Sequence, residues 1–150
     1  MKRSEIWAYF DTSVLVKRYV VEKGTRHARN LLRRHRFVSS VITPLETVSA
    51  LSRRRTMGEI NDKDFASVLV WIRVDRAYWE LVEITASVLR GAEELLQKFP
   101  LRTLDALHLA SATAFQSASG IPVLFVTADL RQADAAEDRG LKVIRVGRGF

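Results

Sequence analysis

The chain has 150 residues, of which 47% are hydrophobic, and it contains no cysteine. This length and apolar content predict one domain over residues 1–150, and the lack of cysteine excludes a disulfide framework and any thiolate metal site. No apolar run approaches the roughly 18 residues of a membrane span, and the N-terminus lacks the apolar core of a signal peptide, so we expect a cytoplasmic protein. The formal net charge of +7 favours a polyanionic partner such as nucleic acid.

Strand-like and helix-like segments alternate along the chain. The apolar run 6–10 predicts a buried strand that leads into a helix at Thr12, and further strands are predicted over 37–40, 78–84, 123–126 and 141–146. Helices are predicted to begin at Thr25, at Thr43 as an N-cap before Pro44, after Asn61, at 86, at 103 and at 129. Helical crossovers between strands indicate an α/β three-layer sandwich, with a mainly parallel central sheet flanked by helices.

Four acidic residues lie beside apolar runs, where a carboxylate is costly to bury. They are Asp11, Glu46, Asp105 and Asp129. A buried carboxylate must find a cation or take up a proton. Because the carboxyl ends of parallel strands share one edge, we expect the sheet to bring Asp11, Glu46 and Asp129 to one crevice. Asp105 joins them from the start of a neighbouring helix.

Each of these acids, taken singly, also fits a helix cap. An Asp at a helix N-terminus gains about 0.3–1 kcal/mol from the helix dipole, and Glu46 is spaced to form a capping box with Thr43. Caps do not explain why all four acids are flanked by core-forming residues. Converging carboxylates repel one another unless a divalent cation supplies the missing charge, and a site of oxygen ligands alone favours Mg²⁺ or Mn²⁺.

Four segments carry a resemblance to a known family. YFDTSVLVKRY, TPLETVSAL, LDALHLA and FVTADLRQADAAEDRGLKVI resemble the motifs of PIN-domain nucleases, in particular the VapC-type ribonuclease toxins of toxin–antitoxin modules. The resemblance runs from Tyr9 to about Val146, with the segments in the family's order. It matches the four acids to the family's acidic quartet, and Ser13 and Thr127 to hydroxyl positions that support it. It also implies Mg²⁺ or Mn²⁺ dependence, frequent homodimers and inhibition by a VapB-type antitoxin.

The resemblance implies hydrolysis of RNA phosphodiester bonds, with the quartet as catalytic and metal-binding residues. Basic residues outside the acidic pocket are then needed to bind the RNA backbone, and we expect Arg53, Arg54 and Arg55 to do so because they follow Glu46 on one predicted helix. A solvated helix end explains these arginines equally well. Ser13 and Thr127 also fit helix caps.

Two functional alternatives stay open from the sequence. A non-catalytic RNA-binding or adaptor protein on the same fold explains the charge, and a solitary RNA-processing nuclease explains the acids without an antitoxin. His108 lies one turn after Asp105 but is placed outside the site, because a histidine in an Ala- and Leu-rich helix is more often a core residue with satisfied hydrogen bonds.

Overall fold

A computed structural model describes residues 6–147. These residues form a five-stranded sheet in the order β3-β2-β1-β4-β5, in which every pair of neighbouring strands is parallel. The strands are β1 (Trp7–Phe10), β2 (Arg36–Ser40), β3 (Glu80–Val82), β4 (Val123–Thr127) and β5 (Lys142–Arg145). The helices are α1 (Thr12–Tyr19), α2 (Thr25–Arg34), α3 (Thr43–Thr56), α4 (Asp62–Asp75), α5 (Ala86–Lys98), α6 (Thr103–Ser119) and α7 (Leu130–Asp138). The predicted parallel α/β sandwich is confirmed.

Helices cover both faces of the sheet because successive side chains of a strand point to opposite sides. Ala8 and Phe10 of β1 pack in a core with helices α1 to α4, whereas Tyr9 between them packs in a second core with α5 to α7. All three side chains are fully buried. The strands are accordingly apolar on both faces, as is typical of a parallel sheet.

The connections change direction at the centre of the sheet. From β1 the chain moves outward through β2 to β3, and from β4 it moves outward on the opposite side to β5. The loops after β1 and β4 therefore diverge, and they leave a crevice at the carboxyl ends of these two adjacent strands. Ligands of open α/β sheets bind at such a switch point. Asp11 directly follows β1, and Asp129 follows β4 by two residues.

Two local predictions are wrong. Ile42, rather than Thr43, is the N-cap of α3, because the Thr43 hydroxyl is held by β2, 2.6 Å from the Ser39 hydroxyl and 3.2 Å from the Ser40 amide. The strand predicted over 78–84 is only three residues long, and Tyr78 lies in a short 3-10 helix over Arg76–Tyr78. This strand lies at the edge of the sheet and pairs only with β2, where the pairing begins with Val38 opposite Glu80. Because β2 ends at Ser40, opposite Val82, the pairing covers only three residues of the edge strand.

Candidate active site

Asp11 forms the base of the crevice and caps α1. Its Oδ2 accepts hydrogen bonds from the Ser13 backbone amide at 3.1 Å and from the Ser13 hydroxyl at 2.5 Å. The same hydroxyl accepts from the Ala128 amide at 3.2 Å, so Ser13 ties the carboxylate to the loop after β4. Asp11 is only 5% exposed. The predicted supporting residue Ser13 thus contacts the acid directly, and the cap of this helix is Asp11 itself.

Glu46 reaches into the same region from the first turn of α3. Its Oε1 accepts a hydrogen bond from the Thr12 hydroxyl at 2.9 Å and lies 2.6 Å from Nε2 of His108. The described contacts of its side chain are with these two residues, and no capping-box bond to Thr43 is among them. The alternative that Glu46 serves as a helix cap is therefore wrong. The imidazole of His108 also lies 3.7 Å from Oδ1 of Asp11, so it stands between two of the four acids.

His108 is held on its other side by Tyr9. The Tyr9 hydroxyl lies 2.8 Å from Nδ1 of His108, and both residues are buried. If the imidazole is neutral, the Tyr9 hydroxyl donates to Nδ1 and Nε2 carries the proton; if it is charged, both nitrogens carry one. In either state Nε2–H donates to Glu46. The exclusion of His108 from the site is wrong, because a core histidine with satisfied hydrogen bonds here also contacts an acid of the quartet.

Gln132 joins the remaining members of the site. Its Nε2 donates to Oδ1 of Asp11 at 3.3 Å and to the backbone carbonyl of Asp105 at 3.1 Å. Its Oε1 accepts from the Thr127 hydroxyl at 2.6 Å, and its backbone amide donates to Oδ1 of Asp129 at 3.0 Å. Thr127 in turn accepts from the Asp129 amide at 3.0 Å. One fully buried amide side chain therefore links the segments that carry three of the four acids.

The acids influence one another electrostatically. Burial raises the pKa of the Asp105 carboxyl, and the nearby carboxylates of Asp11 and Asp129 raise that pKa further. Burial by itself would lower the pKa of the His108 imidazole, but its hydrogen bond to Glu46 and the charge of Asp11 outweigh burial and raise that pKa. Within residues 6–147, no Lys or Arg forms a salt bridge with Asp11, Asp105 or Asp129.

The donor chemistry of this site suits a hard divalent cation, although the side chains do not enclose one as they stand. Within the described part of the chain, no three His, Asp or Glu side chains are grouped closely enough to hold a metal ion. Asp11 and Asp129 nevertheless repel the Asp105 carboxylate and add to the effect of burial on its pKa. Oxygen ligands without a Lys or Arg partner are the kind that Mg²⁺ or Mn²⁺ prefers.

A cleft of about 1000 Å³ opens above the acids. Asp105 and Asp129 line it, and so does Ser13, while Asp11 and Glu46 are not among its described lining residues. Its cationic lining consists of Lys17, Lys23, Arg53, Arg54, Arg102 and Arg131. Glu22 also lines the cleft, where it pairs with Lys17 and Arg54. An anionic ligand that enters the cleft meets the remaining cations as well as the carboxylates of Asp105 and Asp129.

The three arginines predicted to bind RNA differ in their surroundings. Arg53 lines the cleft and donates only to the neutral hydroxyl of Ser49, at 2.8 Å, among its described contacts. Arg54 also lines the cleft but forms salt bridges with Glu22 and, at 3.3 Å, with Glu59. Arg55 lies outside the cleft lining, with its guanidinium 4.1 Å from the centre of the Phe65 ring. The structure therefore brings one of the three to the cleft without a counter-charge.

The fold agrees with the comparisons with known proteins. The PIN domain family matches residues 8–138, and the chain belongs to this family. It is 36% identical over 137 residues to Ribonuclease VapC46 of Mycobacterium tuberculosis, an alignment that covers 91% of this chain and 95% of that relative. A solved toxin–antitoxin complex from Klebsiella pneumoniae has a similar fold, with a TM-score of 0.60 and 17% identity over 83% of this chain and 88% of that one.

From the sequence, His108 was considered but placed outside the site, and Gln132 was missed, although each residue had a signal. His108 is a polar residue in an apolar segment, three positions after Asp105, which is the spacing of neighbours on one helix face. Gln132 lies three positions after Asp129, the spacing of a helix N-cap and the Gln that often accompanies it.

Over residues 6–147, no helix combines the length and the apolar character needed to cross a lipid bilayer.

Proposed function

We propose that this protein is a divalent-metal-dependent endoribonuclease and the toxin of a VapBC-type toxin–antitoxin pair. The observation that carries the proposal is the convergence of Asp11, Glu46, Asp105 and Asp129 at the switch point of the sheet, beneath a cleft lined by cations. Membership of the PIN domain family and the 36% identity to a ribonuclease over most of both chains support the same activity.

In the proposed reaction a water oxygen attacks the phosphorus atom of an RNA phosphodiester. The bond from phosphorus to the leaving ribose oxygen breaks, and that oxygen takes up a proton. Asp105 and Asp129 face the cleft and so lie nearest the reacting phosphate. Asp11 and Glu46 hold their carboxylates behind them through hydrogen bonds with Ser13, Thr12 and His108. Preorganised groups of this kind lower the barrier because they need not rearrange during the reaction.

We assign Mg²⁺ or Mn²⁺ binding to the four acids. A bound ion of this type neutralises the phosphate and makes a water a better nucleophile at neutral pH. Ser13 supports Asp11 directly, and Thr127 supports Asp129 through its backbone amide and through Gln132. Arg53 is the one of the three predicted arginines that we retain as an RNA-binding residue.

The proposed partners follow from the family resemblance. We propose that a VapB-type antitoxin inhibits the enzyme by covering the cleft, that the protein forms a homodimer, and that it acts in the cytoplasm on cellular RNA. Growth arrest on expression of the wild-type protein, relieved by co-expression of a small protein encoded directly upstream, tests the toxin role. Size-exclusion chromatography with light scattering tests the homodimer.

The activity test compares wild-type protein with Asp11→Asn. Asn is as good an N-cap as Asp, so this variant can keep the cap of α1. It removes the charge, and its amide nitrogen replaces one of the two oxygens that accept hydrogen bonds from Ser13 and Gln132. We expect wild-type protein to cleave cellular RNA with Mg²⁺ or Mn²⁺ and to stop in chelator, and we expect Asp11→Asn to be inactive with the same circular dichroism spectrum. Cleavage that survives both chelator and the substitution would sink the proposed mechanism.

A non-catalytic RNA-binding protein is the main alternative. An adaptor has no need of four retained acids in one crevice, and carboxylates at the base of an RNA-binding cleft weaken binding by repulsion. A protein that binds RNA equally well with and without metal, and never cuts it, would favour the adaptor.

A further inference from the structure

The cations of the cleft fall into two groups according to whether an acid already neutralises them. Lys17 and Arg54 both bind the Glu22 carboxylate, Lys17 at 3.1 Å. The other four cationic residues that line the cleft are exposed and form no salt bridge within residues 6–147; they are Lys23, Arg53, Arg102 and Arg131. We call these four residues the cleft cations.

The cleft cations come from two separate parts of the chain. Arg53 projects from α3, and Lys23 from the turn before α2. Arg102 directly precedes α6, three residues before Asp105, and Arg131 lies two residues after Asp129 on α7. Arg102 and Arg131 are therefore close in sequence to Asp105 and Asp129, whereas Arg53 and Lys23 reach the same cleft from α3 and from the turn before α2.

This arrangement suits a polyanionic strand that crosses the cleft. The phosphate being cut must approach Asp105 and Asp129, where the carboxylates repel it. The phosphates before and after it would lie near the rim, where unpaired cations attract them and release condensed counterions. Arg is well suited to this contact because its guanidinium binds two phosphate oxygens at once.

We infer that Arg53 on one side and Arg102 and Arg131 on the other bind the phosphates that flank the scissile bond of an RNA strand, with Lys23 at the outer edge. Arg54 takes no part because Glu22 and Glu59 neutralise it, and Arg55 takes no part because it lies outside the cleft. This inference rests on the proposed function for the identity of the strand. It narrows the RNA-binding assignment from the run of three arginines to Arg53, which lines the cleft and has no acidic partner among its described contacts.

The arginines inside and outside the cleft allow a matched comparison of RNA binding. The substitutions are made in the Asp11→Asn variant, in which we expect the RNA to stay uncut. Three variants each remove one positive charge from the rim: Arg53→Gln, Arg102→Gln and Arg131→Gln. The control, Arg55→Gln, removes one positive charge from α3, the helix that carries Arg53, but at a position outside the cleft. Binding of a short labelled single-stranded oligoribonucleotide is measured by fluorescence anisotropy from about 50 mM to about 1 M KCl at constant Mg²⁺. Circular dichroism checks that each variant is folded.

Each rim substitution is expected to lower the slope of log affinity against log salt by about 0.7, the value for one phosphate contact to a single strand. The affinity of the variant divided by that of the parent should therefore be about eight times smaller at about 50 mM salt than at about 1 M salt. Arg55→Gln is expected to leave the slope unchanged. A single-stranded DNA of the same length should compete with the RNA, because phosphate contacts do not read the sugar or the base.

Two results overturn the inference. An equal loss of slope in all four variants would mean that net charge, and not position, determines binding. An unchanged slope in all three rim variants would mean that the strand does not contact these arginines, and would leave the rim to a protein partner. The proposed function fails separately, if the metal-loaded wild-type protein binds RNA through the rim but never cleaves it.

Discussion

Nε2 of His108 lies 2.6 Å from Oε1 of Glu46, and the two residues are 62 positions apart in the chain. The contact joins α6 to α3 across the carboxyl end of the sheet. On the opposite side of the ring the Tyr9 hydroxyl lies 2.8 Å from Nδ1, so the imidazole cannot turn away without the loss of both bonds. His108 is therefore a positioning residue for the Glu46 carboxylate.

Replacement of His108 should impair cleavage more than binding. His108→Leu removes the donor to Glu46, and hydrogen bonds to charged groups contribute about 1.5–3 kcal/mol, so we expect kcat to fall roughly 10- to 150-fold with a small change in KM. His108→Gln offers an amide donor and should recover part of kcat. Steady-state kinetics and thermal unfolding of both variants check this. Equal kcat losses in both, or a loss of melting temperature alone, would assign His108 to packing.

Removal of a carboxylate should stabilise the metal-free protein. The pKa of Asp105 is raised by burial and by repulsion from Asp11 and Asp129, so its ionised form destabilises the fold above that pKa, and the penalty disappears as pH falls through it. In chelator at neutral pH, Asp105→Asn should unfold at a higher temperature than wild type, and the difference should vanish in acid. Glu94→Gln, at an exposed position of α5, is the control.

Bound metal should reverse the order of the unfolding temperatures of wild-type protein and Asp105→Asn. A ligand that binds only the folded state raises the unfolding temperature more, at a given concentration, the more tightly it binds. Mn²⁺ should therefore stabilise wild-type protein strongly and Asp105→Asn weakly. Calorimetric titration of Mn²⁺ into both proteins gives the affinity without any measurement of activity. Equal stabilisation of the two proteins by Mn²⁺ would contradict metal binding by Asp105.

Gln132 should be essential to stability. Gln132→Leu removes the acceptor of the Thr127 hydroxyl proton and the amide donor to Oδ1 of Asp11, and each unsatisfied buried polar group costs about 1–3 kcal/mol. We expect the melting temperature to fall by roughly 5–15 °C in a chain of this size. Gln97→Leu on the exposed side of α5 should change it little. A small effect at Gln132 would mean that water replaces its amide.

Glu22 should give stability that depends on pH. Burial acts to raise the pKa of its carboxyl, but the hydrogen bonds from Arg54 and Lys17 outweigh burial and lower it. A depressed pKa adds stability above the ordinary value of about 4.5, and this stability is lost as pH falls through the lowered pKa. Glu22→Gln should therefore destabilise the protein at neutral pH and have little effect in strong acid. Denaturant unfolding at both pH values tests this, with Glu59→Gln as the control on the more exposed partner of Arg54.

Local pattern was enough to predict most of the fold. The period-2 and period-3.6 apolar repeats locate the strands and helices, and Gly120 ends α6 in the left-handed conformation expected of a C-cap glycine, with φ of 70°. The convergence of the acids also follows from topology, because Asp11 and Asp129 come directly after adjacent parallel strands. These features depend on residues that are near one another in sequence, or on a general rule of parallel sheets.

The side-chain contacts within the site could not be predicted from local sequence pattern or from sheet topology. Whether His108 is merely a core residue depends on Tyr9 and Glu46, which lie 99 and 62 positions away. Whether Arg54 is free depends on Glu22, 32 positions away on another segment. Such pairings are set by how helices dock on the sheet, and a run of three arginines looks uniform until the docking separates its members.

The switch point between β1 and β4 also governs when the site comes into existence during synthesis. Asp11 and Glu46 belong to the first half of the chain, whereas Asp105, Gln132 and Asp129 arrive only with α6, β4 and α7. A nascent chain that ends at β3 has two of the four site acids and lacks β4, which lies beside the central strand β1. The set of four acids that the proposed nuclease needs is therefore complete only when the last third of the chain has been synthesised.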